Sequence, residues 1–242
     1  MTDSHIIVAG QSNALGYLNT APAPYQATAR VQIWTDTDHD GAGDAWNYML
    51  PGVNTGTATN PTVWGPEVEI ANRWLADHAT GVLWIDKVTK GSTGLAHDAT
   101  QLDWSPASSG EMFDQATASF DAARHNLDGS AYAFTRWDVA EWMQGETDAT
   151  DQAKALAYGV NLADFLSHAR AEWDVTQFVV GRISDSTALP YNLDVRQAQW
   201  NVDQVDAGMV SFKTIGLAMQ PDTIHVADQI GLGDGFFSAW AL

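Results

Sequence analysis

Cysteine is absent from this 242-residue chain. Its absence excludes disulfides, thiol catalysis and thiolate metal sites together, while leaving the compartment open. Basic residues are scarce: 11 Lys+Arg stand against 30 Asp+Glu, for a formal charge of -19. No basic block or stripe interrupts this acidity, so neither nucleic acid nor an anionic membrane is expected as a partner. The acidity reads as a solubilising surface, or as the mark of a neutral or cationic substrate, since a polyanion would be repelled at low ionic strength. No stretch approaches the ~20 apolar residues of a membrane helix, and no membrane insertion is expected. The apolar run near the N-terminus has no Lys or Arg before it and is too brief for a signal-peptide core. A cytoplasmic or virion-associated setting follows, or a leader already removed. Internal repeats, low-complexity tracts and long Pro/Gly/Ser linkers are also missing.

What is present suits a folded domain. Hydrophobic residues make up 45% and aromatics 10%, enough for a sizeable core. The chain fits one domain over residues 1–242. Strand-like runs alternate with helix-like ones. His5–Gly10, Val31–Trp34, Gly81–Val88, Tyr132–Met143 and Phe178–Ile183 read as strands. Helical spacing marks Pro66 to Asp77, with Val68, Ala71, Trp74 and Leu75 on one face, and Glu111–Leu127. It continues in Asp151–Trp173, with Leu156, Val160, Ala163 and Leu166 near one stripe, and in Leu193–Val205 and Ile230–Leu242. Such alternation predicts an α/β fold with a parallel sheet covered on both faces. The loops 35–64 and 91–110 are long for this class, and long loops are uncommon unless functional.

Four polar clusters fall where strands end, the place where ligands collect in doubly wound sheets. Gly10-Gln11-Ser12-Asn13 follows the first strand. A serine there exposes its hydroxyl and aims its N–H where a developing anion is stabilised; it is equally a plain N-cap. Lys90-Gly91-Ser92-Thr93-Gly94 offers a second close backbone approach, or is an ordinary turn. In Gln144-Gly145-Glu146-Thr147-Asp148, the Gln144 amide is a further candidate donor, while Glu146 and Asp148 equally suit helix caps. Asp222-Thr223-Ile224-His225 spaces a carboxylate and an imidazole three apart, on one side of a turn. The carboxylate can then hold one ring nitrogen and leave the other basic. Alone, each cluster has a structural explanation.

Together and in this order they resemble the SGNH-hydrolase superfamily, and more narrowly its sialate O-acetylesterase-like branch with carbohydrate esterase family six. Trp46 through Thr55 and Val195-Arg196-Gln197-Ala198-Gln199 are similar to further segments of that branch. The resemblance implies a three-layer α/β/α sandwich of flavodoxin-like type. It implies Ser12 as nucleophile, His225 as base and Asp222 as its orienter. The implied oxyanion hole is the N–H groups of Ser12 and Gly91 with the side chain of Gln144. Gln144 stands where the wider superfamily carries Asn. The implied activity is removal of acetyl groups from a carbohydrate, without a catalytic metal or cofactor. Gln11, Asn13 and Glu146 are expected near the substrate. An ordinary α/β-hydrolase shares the order Ser, Asp, His but requires Gly where Ala14 stands.

Trp46, Trp64 and Trp104 lie in the long loops and are candidates for stacking on sugar rings; Trp74, Trp84 and Trp142 sit in periodic segments and read as core. Asp36, Asp38, Asp40 and Asp44 have the spacing of a calcium loop with Gly41 at its sixth position. Asn47 replaces the final Glu, so this segment reads either as a structural calcium site or as an acidic, solvated loop. The remaining histidines form no metal-spacing motif. A carbohydrate-binding or phage tail-associated module with vestigial esterase machinery is the competing reading. The sugar, the acetylated position and the oligomeric state are not encoded in any motif.

Overall fold

The computed structural model describes residues 3–35 and 45–241. The four aspartates of the calcium reading therefore lie outside the described residues. The first strand, β1 (Ser4–Gly10), is buried at every position. That is what a continuous apolar run in the middle of a sheet requires. The chain then passes through a four-residue helix α1 (Ser12–Leu15) to β2 (Val31–Trp34) and the short β3 (Trp46–Tyr48). Helix α2 (Glu67–Asp77) leads to β4 (Leu83–Thr89), and α3 (Met112–Asn126) to β5 (Trp137–Met143). Helix α4 (Gln152–Glu172), β6 (Val175–Arg182), α5 (Asn192–Asp203), β7 (Met209–Lys213) and α6 (Gln229–Trp240) complete the order.

The seven strands lie in the order β3-β2-β4-β1-β5-β6-β7. From β1 the chain steps outward to β2, returns through β4, then crosses to β5 and onward. The direction of travel reverses around β1, and such reversals open a crevice at the carboxyl end of the strands. Every pairing is parallel except β2 with β3. The expected parallel sheet is thus mixed, with one antiparallel edge. The segment carrying that edge, 45–48, is joined to β2 by a return too short for the crossover a parallel strand needs.

Helices cover both faces, giving three layers. Helices α3, α4 and α5 bury Phe113, Phe120, Leu162, Phe165 and Val195 against one face. Helices α2 and α6 bury Val68, Trp74, Leu232 and Phe236 against the other. Val68, Ala71 and Trp74 face inward as their spacing predicts. In α4 the outcome differs from expectation. Leu156 and Val160 are 68% and 76% exposed, and the buried face is Ala155, Tyr158, Leu162, Phe165, Leu166 and Ala169, of which only Leu166 belongs to the predicted stripe. Two apolar stripes compete on this helix, and the one carrying two aromatic rings has more area to bury. The fifth strand is shorter than predicted and begins at Trp137, not Tyr132. Edge strand β7, Met-Val-Ser-Phe-Lys, is only half-buried, and its mixed pattern gives no strand signal.

Candidate active site

Gly10, Thr89 and Met143 are register partners in β1, β4 and β5. The three strands therefore end flush, and the next residues of each emerge side by side. The ladder continues one step further: Gln11 N–H donates to Met143 O at 2.9 Å and Lys90 N–H to Gly10 O at 3.0 Å. Gly10 has φ +134, and a Cβ there would meet Met143 O at 2.1 Å. Only glycine lets β1 and β5 approach this closely while turning into Ser12. Ser12 opens α1, which ends at Gly16 with φ 83. The Gly91 backbone lies beside it, a Cβ on Gly91 standing 3.8 Å from the Ser12 Cβ. Two of the three expected oxyanion donors, the N–H groups of Ser12 and Gly91, thus belong to neighbouring backbone.

The Asp222–His225 turn arrives from the far end of the sequence. Asp222 Oδ2 accepts from His225 Nδ1 at 2.5 Å, and Oδ1 accepts the N–H groups of Ile224 and His225 at 3.0 Å each. Partial burial pushes the Asp222 carboxyl up, but the His225 N–H, the imidazole and the Ile224 N–H outweigh it and hold the group below its ordinary value. Asp222 is therefore ionised over the neutral range and fixes the ring with Nδ1 donating, which leaves Nε2 basic. Thr223, between the two, has φ 60, a conformation that a β-branched residue adopts at a cost of order 1–3 kcal/mol. Its hydroxyl meets Ser186 Oγ at 2.8 Å, and Gln220 N–H donates to His225 O at 2.7 Å. These bonds hold the turn in its strained form.

Ser12 and His225 open on one cavity of about 320 Å³. Among the described residues the Ser12 hydroxyl has no hydrogen-bond partner. Tyr17 packs its ring 4.8 Å from the imidazole at 51°. The walls come from Tyr17 and Leu15 on one side, Thr57, Thr59 and Asn60 on another, and Lys90, Gly91 and Ser92 on the third. Tyr17, Thr57, Thr59 and Asn60 belong to no motif. The length of the loop 35–64 was the only sequence signal pointing to three of them. That loop is anchored from below by Lys87 of β4, whose buried ammonium donates to Glu67 Oε2 at 2.8 Å, Thr55 O at 2.9 Å and Leu15 O at 3.1 Å. Burial lowers the Lys87 pKa, and the Glu67 carboxylate opposes that shift.

Several predicted residues stand behind this cavity and not in it. The Gln144 side chain is fully buried. Its amide nitrogen donates to Asp148 Oδ2 at 2.7 Å and Thr93 O at 3.1 Å, and its oxygen accepts from Tyr158 Oη at 2.9 Å. Both amide hydrogens are turned inward, so Gln144 does not face an oxyanion as expected. The reason is Asp148, whose carboxyl burial pushes up and which gathers donors from Gln144, Leu95 and Ala96. Gln11 accepts weakly from Gln144 and from Thr147 N–H, each at 3.4 Å. Asn13 donates to Glu146 Oε1 at 2.5 Å and Ile224 O at 3.2 Å, and accepts from Val226 N–H at 2.7 Å. Glu146 keeps Oε2 buried without a partner among the described residues, and desolvation, offset in part by Asn13, raises its pKa. Gln11, Asn13 and Glu146 are therefore packed beneath the site instead of lining it.

The tryptophans expected to meet sugar are structural. Trp46 donates to Ala123 O at 3.0 Å and packs on Trp34 and Trp84. Trp64 donates to Ala21 O at 2.6 Å, and Trp104, fully buried, donates to Thr93 Oγ1 at 2.9 Å and packs on Trp142. In each the indole N–H finds an interior acceptor, which removes the penalty for burying the ring. Among the described residues no group of three His, Asp or Glu is arranged to hold a metal ion, and no helix is long and apolar enough to cross a membrane.

A model of the carbohydrate esterases described as sialic acid-specific acetylesterases matches residues 3–240. Among solved structures, a protein of Arabidopsis thaliana superposes with a TM-score of 0.78 at 17% identity, covering 100% of this chain and 98% of that one. NanS superposes with a TM-score of 0.69 at 15% identity, covering 100% and 98%. A carbohydrate acetylesterase from Xanthomonas citri gives 0.65 at 18% identity over 98% of this chain and 55% of its own. These three likenesses bear on the fold. No curated protein matches the chain in sequence.

Proposed function

The chain belongs to the carbohydrate esterase family of sialic acid-specific acetylesterases, and on that premise we propose that it hydrolyses acetyl esters of a carbohydrate, with Ser12 as nucleophile. The observation that carries this reading is the 2.5 Å contact of His225 Nδ1 with Asp222 at the edge of the cavity that Ser12 shares. His225 Nε2 takes the Ser12 proton as Oγ attacks the acetyl carbonyl carbon. The resulting oxyanion is held by the N–H groups of Ser12 and Gly91, each such donor being worth roughly 3 kcal/mol. Asp222 stabilises the imidazolium and is not itself protonated. The tetrahedral intermediate collapses, the C–O bond to the sugar breaks, and His225 returns the proton to the departing hydroxyl. Water, deprotonated by the same imidazole, then attacks acetyl-Ser12 and releases acetate. The walls of Thr57, Thr59 and Asn60 supply hydroxyl and amide partners suited to a sugar ring.

Acetate release from p-nitrophenyl acetate by the wild type and by Ser12→Ala tests the reading. Activity that disappears with the hydroxyl supports it and leaves the sugar to be found with a panel of acetylated polysaccharides. An inert wild type, or a Ser12→Ala protein as active as its parent, overturns the assignment of Ser12 and favours a binding module.

A further inference from the structure

Three of the chain's 11 Lys+Arg converge on a second pocket, of about 300 Å³, at the carboxyl ends of β6 and β7. Arg182 and Lys213 are the last residues of these strands and are direct register partners. Like charges placed opposite each other across a strand pair repel and destabilise. Arg196, one turn into α5, adds a third cation to the same lining. Its Nε is buried and has no hydrogen-bond partner among the described residues, although a guanidinium is strongly driven to find one. Burial, and the repulsion of Arg196, lower the Arg182 pKa against the pull of Asp203. Asp203 accepts from Ser211 Oγ at 2.9 Å and lies outside the lining, which contains no acid. Trp200, 40% exposed, forms the remaining wall with its ring 5.1 Å from the Arg182 guanidinium. Leu193 and Gln197 complete it.

Three cations gathered this way repel one another, and an anion seated among them would relieve that repulsion. Two guanidinium forks suit a planar or tetrahedral oxyanion, and the exposed part of the Trp200 indole suits the C–H face of a sugar ring. The pocket is about one monosaccharide in scale. It lies on the same rim as Ser12, two to three strands along, or roughly 10–15 Å at the usual strand spacing. We propose that this pocket binds a negatively charged sugar residue of the glycan whose acetyl group reaches Ser12, through its carboxylate or other oxyanion. The assignment of the ligand as a sugar rests on the esterase reading; the assignment of an oxyanion does not. Helix α5 is tied to the floor of the active site, because Gln199 Nε2 donates to Gln144 O at 3.0 Å. The two sites are therefore held at a set spacing.

Calorimetric titration of the Ser12→Ala protein tests the proposal without depending on turnover. The ligands are oligogalacturonate, the corresponding neutral oligogalactose, sodium phosphate and single-stranded DNA. The expected result is binding of oligogalacturonate in preference to oligogalactose. That binding weakens with salt and falls about tenfold in Arg196→Gln and in Lys213→Gln. Trp200→Leu is expected to weaken oligogalacturonate and leave phosphate unchanged. Equal affinity for the charged and neutral oligosaccharides, or binding indifferent to all three substitutions, overturns the proposal. Phosphate binding with no oligogalacturonate binding overturns the sugar assignment, and tighter binding of DNA replaces it with a nucleic-acid surface. A wild type inert toward acetyl esters whose Ser12→Ala form still binds oligogalacturonate here would overturn the esterase reading alone.

Discussion

Asn13 and Val226 stand 213 residues apart and are joined by a 2.7 Å hydrogen bond from the Val226 N–H to the Asn13 carboxamide oxygen. The same carboxamide donates to Ile224 O and to Glu146. It thereby grips the backbone on both sides of His225 from the residue next to Ser12. The distance between proposed nucleophile and base is set by this one side chain more directly than by either helix packing layer.

Asn13→Ala is expected to lower kcat for an acetyl ester about 100-fold with little change in KM, since displacing a catalytic group by about 1 Å costs on that order. Steady-state kinetics with p-nitrophenyl acetate measure it. A rise in KM at unchanged kcat would instead make Asn13 a substrate contact.

Asp222→Asn leaves the turn its Oδ1 acceptor but removes the charge that holds the imidazole in one tautomer. The expected loss is about 10⁴-fold in kcat. Because the carboxyl is held below its ordinary value when folded, its contribution to stability is complete above the unfolded pKa and is lost as pH falls through the folded one. The variant should therefore show a shallower acid limb in its unfolding profile. An acid limb identical to wild type would remove that contribution.

Glu141 of β5 is fully buried, and neither carboxyl oxygen has a partner among the described residues. Burial, with the field of Glu67 adding to it, raises the group well above its ordinary range. The folded protein then keeps a proton that the unfolded chain gives up. Stability associated with Glu141 is complete below the unfolded pKa of about 4.3 and falls by about 1.4 kcal/mol per pH unit as pH rises toward the folded value. Glu141→Gln removes this slope, so its Tm should fall less than wild type between pH 5 and pH 8. Equal falls in the two proteins would show that the carboxyl ionises alike in both states.

Lys87→Met leaves Glu67 as an uncompensated buried carboxylate and frees the carbonyls of Thr55 and Leu15. The expected cost is about 3–5 kcal/mol in chemical denaturation, with KM rising as the Thr57–Asn60 wall loosens. Lys87→Met with Glu67→Leu should recover much of the stability. A double variant no more stable than the single one would count against the ion pair as the cause.

The elements of the candidate site were legible because each sits at a strand end, where an apolar run stops at Gly10, Val88 or Met143 and polar residues begin. The contact of Asp222 with His225 was foreshadowed by their spacing, which became specific only beside the other three clusters. What could not be read was direction. Gln144 has the chemistry of an oxyanion donor, but whether it faces the cavity depends on Asp148, which takes its amide directly while being held in place by the Leu95 and Ala96 N–H groups. The indole of Trp104 looked like a loop residue until Thr93 supplied its N–H with an acceptor. Tyr17, Thr57 and Asn60 lie in segments with neither period, so no pattern announces them. The outward face of α4 was misjudged for a related reason: two stripes of similar hydropathy differ mainly in ring area.

The chain order of the site also has a consequence for synthesis. The turn bearing His225 leaves the ribosome 213 residues after Ser12, on the order of tens of seconds later at ordinary elongation rates. On the proposed mechanism, until that turn docks under Asn13 the Ser12 hydroxyl has no base and is as inert as any alcohol in water. A nascent chain therefore cannot yet cleave an ester by that mechanism, and reactivity appears only once that turn has docked.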